Sequence, residues 1–141
     1  MDRNGHRGNL QLAGDDHRDP RGGCHAVFAD VSITRGTLCP TSAAMHVTRR
    51  TRALLVTHLF RIPADMSALR ALADHRGLAL LADASHTLGA RWNNQPITTC
   101  IDIAALSLGL GKLVSCGEGG MLDSADPLLY PRALLVSQRG S

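Results

Sequence analysis

Apolar residues in this chain come in short unbroken runs, separated by stretches in which they recur at helical spacing. Arg52-Ala53-Leu54-Leu55-Val56-Thr57 reads as an apolar strand, Leu78-Ala79-Leu80-Leu81-Ala82 as one that is continuous rather than alternating, and Ile101 to Leu106 as another strand, the pattern of strands apolar on both faces. Between the first two, Ala64-Asp65-Met66 opens a helix through Ala73, with Met66, Leu69, Leu72 and Ala73 at helical spacing and Gly77 as its stop. Val27 to Val31 reads as another short buried strand, and Pro40-Thr41-Ser42 as the start of a helix reaching Val47. Met121-Leu122 reads as a short strand and Pro127 to Gln138 as a terminal helix. Strands of this kind joined by helices predict an α/β fold, a partial three-layer sandwich around a mostly parallel sheet. Residues 1–25 show neither period and set four arginines against four aspartates. They are expected to be a disordered leader, with residues 26–141 as the folded part.

This pattern also says where chemistry would gather. In open parallel sheets, ligands collect beyond the carboxyl ends of the strands. Asp83 and Ser107 each follow a strand directly, Lys112 lies on the loop beyond the second, and His58 ends an earlier one.

Composition removes several classes of function. The chain has 141 residues, 44% of them hydrophobic but only 3% aromatic, so the core must be built from Leu, Ala, Val and Ile. Scarce rings argue against a single-strand nucleic-acid surface, and a formal charge of +3 is too small and dispersed for a polyanion partner. The densest cluster, Arg49, Arg50 and Arg52, reads as a solvated turn. Cys24, Cys39, Cys100 and Cys116 form no CxxC pair, and no Cys/His spacing or HExxH suggests a metal, so reduced thiols in a cytoplasmic protein are expected. No apolar stretch approaches the roughly 18 residues of a membrane span, and no secretory leader is visible.

One cation stands apart. Lys112 is the only lysine among fourteen arginines, and Glu118 is the only glutamate. Lysine, unlike arginine, can lose its proton near neutrality and form an imine with an aldehyde. The surrounding glycines invite comparison with a phosphate loop, but Leu106 and Leu113 break a Walker motif and Val114 breaks a dinucleotide fingerprint. Pyridoxal phosphate chemistry needs an amine for the aldehyde, an acid for the pyridine nitrogen and donors for the phosphate; Lys112, Asp83 and Ser107 are of the right types. Each also has a plainer reading, as an exposed loop lysine, a turn aspartate and a serine satisfying backbone groups.

Asp83-Ala84-Ser85-His86-Thr87-Leu88-Gly89-Ala90 resembles a signature of the DegT/DnrJ/EryC1/StrS family of pyridoxal-phosphate-dependent sugar aminotransferases. Asp102 to Leu113 with Gly117-Glu118-Gly119-Gly120 is similar to that family's lysine segment, in wording close to the scyllo-inosose and aminocyclitol branch. Val27 to Val31, and His58-Leu59-Phe60 followed by Pro63-Ala64-Asp65-Met66, match two further blocks in order. The resemblance implies a fragment of the large domain of a fold type I aminotransferase. By the same resemblance Lys112 holds the cofactor as a Schiff base, Asp83 pairs with the ring nitrogen, His86 contacts the phenolic oxygen and Ser107 binds the phosphate. For His86 a packed histidine capping a turn is the alternative; no family role attaches to His58, and Glu118 is expected to shape its turn. The implied reaction moves an amino group from an amino-acid donor to a keto-sugar or keto-cyclitol, in a homodimeric enzyme. Lysine rather than histidine at position 112 favours the aminotransferase branch over sugar dehydratases. Where Arg61 stands, family members usually carry glycine. The upstream phosphate-loop block and the C-terminal small domain find no counterpart here, so the competing expectation is a truncated, catalytically inactive remnant that at most binds a partner.

Overall fold

The structure is a computed structural model and describes residues 10–15, 24–129 and 131–132. In chain order its elements are β1 (Leu10–Asp15), β2 (Cys24–Val27), α1 (Pro40–His46), β3 (Thr51–Thr57), α2 (Met66–Arg76) and β4 (Ala79–Asp83). A small hairpin of β5 (Arg91–Trp92) and β6 (Gln95–Pro96) follows, then a 3-10 turn over Ile97–Cys100, β7 (Ile103–Ser107) and β8 (Gly120–Asp123). The main sheet has the order β2-β1-β3-β4-β7-β8. Its centre, β3-β4-β7, is parallel, with Leu55 beside Leu81 and Leu81 beside Ile103. β1 and β8 run against this direction, and β2, antiparallel to β1, runs with it.

Alternation along the parallel strands builds the core. Leu54 and Val56 of β3, Leu80 and Ala82 of β4, and Ala104 and Leu106 of β7 are all buried. Met66, Leu69 and Ala73, from one side of α2, and Ala43 of α1 join the same cluster. On the opposite face Leu55, Leu81 and Ile103 are half-buried and Ala105 is exposed. One helical layer of the expected sandwich is therefore built among the described residues.

Local chemistry sets the ends of α2. The Asp65 carboxylate accepts from the Ala68 N–H at 3.1 Å, satisfying one of the free donors of the first turn. Gly77 closes the helix at φ 63°, a left-handed conformation that a side chain resists. The Leu78 N–H is then spent on the Ala73 carbonyl, which is why β4 starts one residue later than the apolar run suggests. β7 likewise begins at Ile103 and not Ile101: Asp102 turns the chain, its N–H donating to the Leu80 carbonyl while its carboxylate accepts from the Leu80 N–H at 2.7 Å.

Two expectations need correction near the start of the chain. Residues 10–15, read as part of a structureless leader, form β1 against the edge of β3, with Leu12 opposite Leu54; the alternation of Leu10 and Leu12 about Gln11 is too short to stand out in sequence. The strand expected over Val27–Val31 ends at Val27 instead. Asp30 is held by α1, donating its N–H to Ser42 Oγ at 3.0 Å and accepting the Cys39 N–H on its carbonyl at 3.0 Å. Val31 keeps only an isolated bridge to Leu38. The remainder of the leader and most of the terminal helix expected over 127–138 lie outside the described residues. Among the described residues, no helix is long and apolar enough to cross a membrane.

Candidate functional site

Parallel pairing brings three strand ends level with one another. Thr57, which closes β3, is beside Asp83, which closes β4, and Asp83 is beside Ala105 of β7. His58, Asp83 and Ser107 therefore emerge at one edge of the sheet. Above that edge opens a cavity of about 460 Å³ whose walls include His86, Ser107 and Lys112. Three of the four residues singled out from sequence thus share one cavity. Asp83 is not in its lining but adjoins it, since its Oδ1 accepts from the N–H of Ser85, which is.

The lysine loop is shaped by its own backbone. Leu108 donates its N–H to the Gly119 carbonyl at 2.9 Å and accepts from the Cys116 N–H at 3.0 Å, pinching the base of the loop. Within it the Lys112 N–H donates to the Gly109 carbonyl at 3.2 Å, and Gly111 at φ 82° supplies the reversal immediately before the lysine. Lys112 is half-buried. The Ser107 hydroxyl is held near the Gly109 N–H at 3.4 Å, and Glu118 is exposed, its carbonyl accepting from the Cys116 thiol at 3.2 Å.

His86 stands in a turn, exposed, and lines the cavity. Its ring meets Phe60 edge-on, with centroids 6.4 Å apart and planes at 80°. His58 is the buried histidine, 1% exposed. It donates its N–H to the Asp83 carbonyl at 3.1 Å and accepts the Ala64 N–H on Nδ1 at 3.3 Å. Burial pushes its pKa down from 6.5 to about 4, against the opposing pull of the Asp83 carboxylate. Its Nε2 is buried without a partner among the described residues.

Residues not assigned a role from sequence also wall the cavity, among them Phe60, Ser85 and Leu110. Their only sequence signal is adjacency to the motif residues. Arg61 lines it too. Phe60 and Arg61 sit at φ 49° and 64°, in the left-handed region that costs a non-glycine residue of order 1–3 kcal/mol. Cys39, Cys100 and Cys116 are unpaired, and no metal-holding cluster of His, Cys, Asp or Glu occurs among the described residues.

Known proteins resemble this chain in sequence and in fold. The chain is 42% identical over 106 residues to dTDP-3-amino-3,4,6-trideoxy-alpha-D-glucose transaminase of Streptomyces venezuelae, covering 74% of this chain and 28% of that protein. It is 34% identical over 114 residues to a putative L-glutamine:3-amino-2,3-dideoxy-scyllo-inosose aminotransferase of Streptomyces kanamyceticus, covering 81% and 27% respectively. Among solved structures, it superposes on S. venezuelae DesV in complex with a ketimine intermediate with a TM-score of 0.74 and 39% identity, over 79% of this chain and 30% of that one. On 3-amino-5-hydroxybenzoic acid synthase the TM-score is 0.75 at 36% identity, over 82% and 30%. The chain thus spans less than a third of the length of each of these relatives. The sequence profile of one family matches residues 20–141, and with the parallel sheet and the lysine loop in place the chain belongs to that family, the DegT/DnrJ/EryC1/StrS aminotransferases.

Proposed function

We propose that this chain is the cofactor-binding core of a pyridoxal-phosphate-dependent aminotransferase that passes an amino group from an amino acid to a keto-sugar or keto-cyclitol. The observation that carries the reading is that Lys112 opens onto the same cavity as Ser107 and His86, beside the strand that ends in Asp83.

The donor set suits a phosphorylated pyridine aldehyde. Asp83 uses one carboxylate oxygen for the Ser85 N–H, and among the described residues the other has no protein donor. A carboxylate so placed favours the protonated form of a ring nitrogen that reaches it. Ser107 and Ser85 line the cavity beside Lys112, which suits a phosphate. His86 is the group for the phenolic oxygen. When bound, pyridoxal phosphate supplies an electrophilic carbon for amines and a ring that accepts the electron pair left when the substrate Cα–H bond breaks.

Lys112 then has two tasks. Its Nζ would hold the cofactor covalently, and as a free neutral amine it would take the proton from the substrate carbon and deliver it to the carbon of the cofactor's former aldehyde. The exposed apolar side chains of Leu110, Leu113 and Val114 flank Lys112. Surface of this kind supports assembly of the whole enzyme as a homodimer.

Reductive trapping tests the reading. The protein is incubated with pyridoxal phosphate, reduced with borohydride and digested. The expected product is a single adduct on the peptide containing Lys112, absent from Lys112→Ala. Because the chain has no other lysine, the competing primary amine is the amino terminus. An adduct confined to that terminus, or none, would overturn the assignment and leave the inactive remnant.

A further inference from the structure

Phe60 and Arg61 are the central pair of a tight turn closed by the Ile62 N–H on the Leu59 carbonyl at 2.7 Å. Both have positive φ, at 49° and 64°, the geometry of the two-residue turn that ordinarily takes Asn-Gly because a side chain is strained at either position. Large side chains kept at such positions are a sign of function. Phe60 is accounted for by its edge contact with His86. Arg61 lines the cavity alongside Lys112, Ser85 and Ser107. The lining therefore holds the Arg61 guanidinium beside Lys112 and two serines, with the Asp83 carboxylate adjoining it behind Ser85, and the ion pairs among the described residues belong to Arg70, not Arg61. Walls of that composition attract anions and offer a neutral polyol no comparable gain.

Resting on the aminotransferase reading of the cavity, we propose that Arg61 recognises an anionic group, phosphate or carboxylate, on the substrate that meets Lys112, so that this chain selects a charged substrate over a neutral one. A guanidinium presents a planar fork of donors that fits either oxyanion, and it stays charged at any working pH.

The test is calorimetric titration of the full chain at low ionic strength with inorganic pyrophosphate, glutarate, scyllo-inositol and pyridoxal phosphate, repeated on Arg61→Lys, Arg61→Gln and Arg61→Gly. At least one anion should bind about tenfold or more tighter than the polyol, and Arg61→Gln should weaken it about tenfold, with Arg61→Lys intermediate. Pyrophosphate loss alone identifies a phosphorylated substrate, and glutarate loss alone a dicarboxylate. Arg61→Gly should lose the anion while melting at a higher temperature than wild type, since it relieves the turn; this separates lost recognition from lost folding. Anion affinities within twofold of wild type in Arg61→Gln, or no anion binding by wild type, would overturn the proposal. So would an Arg61→Gln defect confined to pyridoxal phosphate, which would place the guanidinium on the cofactor. Adduct formation on Lys112 is a separate readout, so the aminotransferase reading and the role of Arg61 fail independently.

Discussion

Ala64 and His58 are joined by a hydrogen bond in which the Ala64 N–H donates to Nδ1 at 3.3 Å. A peptide N–H can only donate, so Nδ1 keeps its lone pair and the neutral ring carries its proton on Nε2. The folded protein resists a second proton there, its pKa being lowered by burial from 6.5 to about 4, while the unfolded chain accepts one readily. The stabilising contribution is therefore complete above the unfolded value and is lost as the pH falls towards the folded one. Between pH 7 and pH 5 this amounts to about 2 kcal/mol. Urea unfolding of wild type and His58→Gln at these two pH values checks the assignment. The variant should lack this share of the pH dependence; an equal loss in both proteins would mean that another group is responsible.

Lys112 and Asp83 should separate in their effects on cofactor and fold. Lys112 lies on a loop, and its side chain makes no hydrogen bond or ion pair among the described residues, so Lys112→Ala should remove the adduct and leave the melting temperature unchanged. Asp83→Asn keeps an oxygen for the Ser85 N–H, which Asp83 holds at 3.0 Å, but removes the charge. Loss of one charge-assisted hydrogen bond predicts a roughly tenfold or greater fall in cofactor affinity, measured by the absorbance of bound pyridoxal phosphate. Turnover of the whole enzyme should be lost in both variants. Affinity equal to wild type in Asp83→Asn would mean that the carboxylate does not meet the ring.

Much of this architecture was legible because the buried parallel strands are short and unbroken. Leu54, Val56, Leu80 and Ala82 are buried by a pattern visible in the letters alone, and strand ends in a parallel sheet fall on one edge whatever the loops do. Less legible was anything decided by a hydrogen bond between distant residues. Ser42 draws Asp30 out of a strand, and Asp102 delays the start of β7, and neither leaves a local signal. The leader strand β1 is a tertiary effect as well, existing by pairing with β3. At the site, strand ends and residue chemistry pointed to Ser107 and Lys112 and the family resemblance to His86, whereas the turn that carries Phe60 and Arg61 into the cavity has none of the asparagine or glycine that normally announces it.

The helix that packs on the core offers two substitutions with different physical causes. Asp65→Ala removes the acceptor for the Ala68 N–H and should cost about 1 kcal/mol. Leu69→Ala, at a fully buried position, should cost about 2–5 kcal/mol through lost burial and the cavity left behind. Chemical denaturation of both variants gives the comparison. A capping change that costs more than the core change would show that α2 is held by its end and not by its face.

Asp102 allows the site to be tested through its scaffold. Its Oδ2 accepts the N–H of Leu80 at 2.7 Å, its own N–H donates to the Leu80 carbonyl at 2.8 Å, and Arg70 reaches Oδ1 at 3.0 Å. The Arg70 pair is open to water, with side-chain exposures of 26% and 43%, so Arg70→Ala should cost no more than about 1 kcal/mol. Leu80 is fully buried, and its N–H loses its acceptor in Asp102→Ala, a change expected to cost about 1–3 kcal/mol. Asp102→Asn keeps an acceptor and should fall well short of that. The same carboxylate fixes β7 against β4, and with it Ser107 relative to Asp83, so Asp102→Ala should also weaken pyridoxal phosphate binding while Asp102→Asn does not. If Arg70→Ala proved as damaging as Asp102→Ala, the salt bridge and not the hydrogen bond to Leu80 would be setting the register.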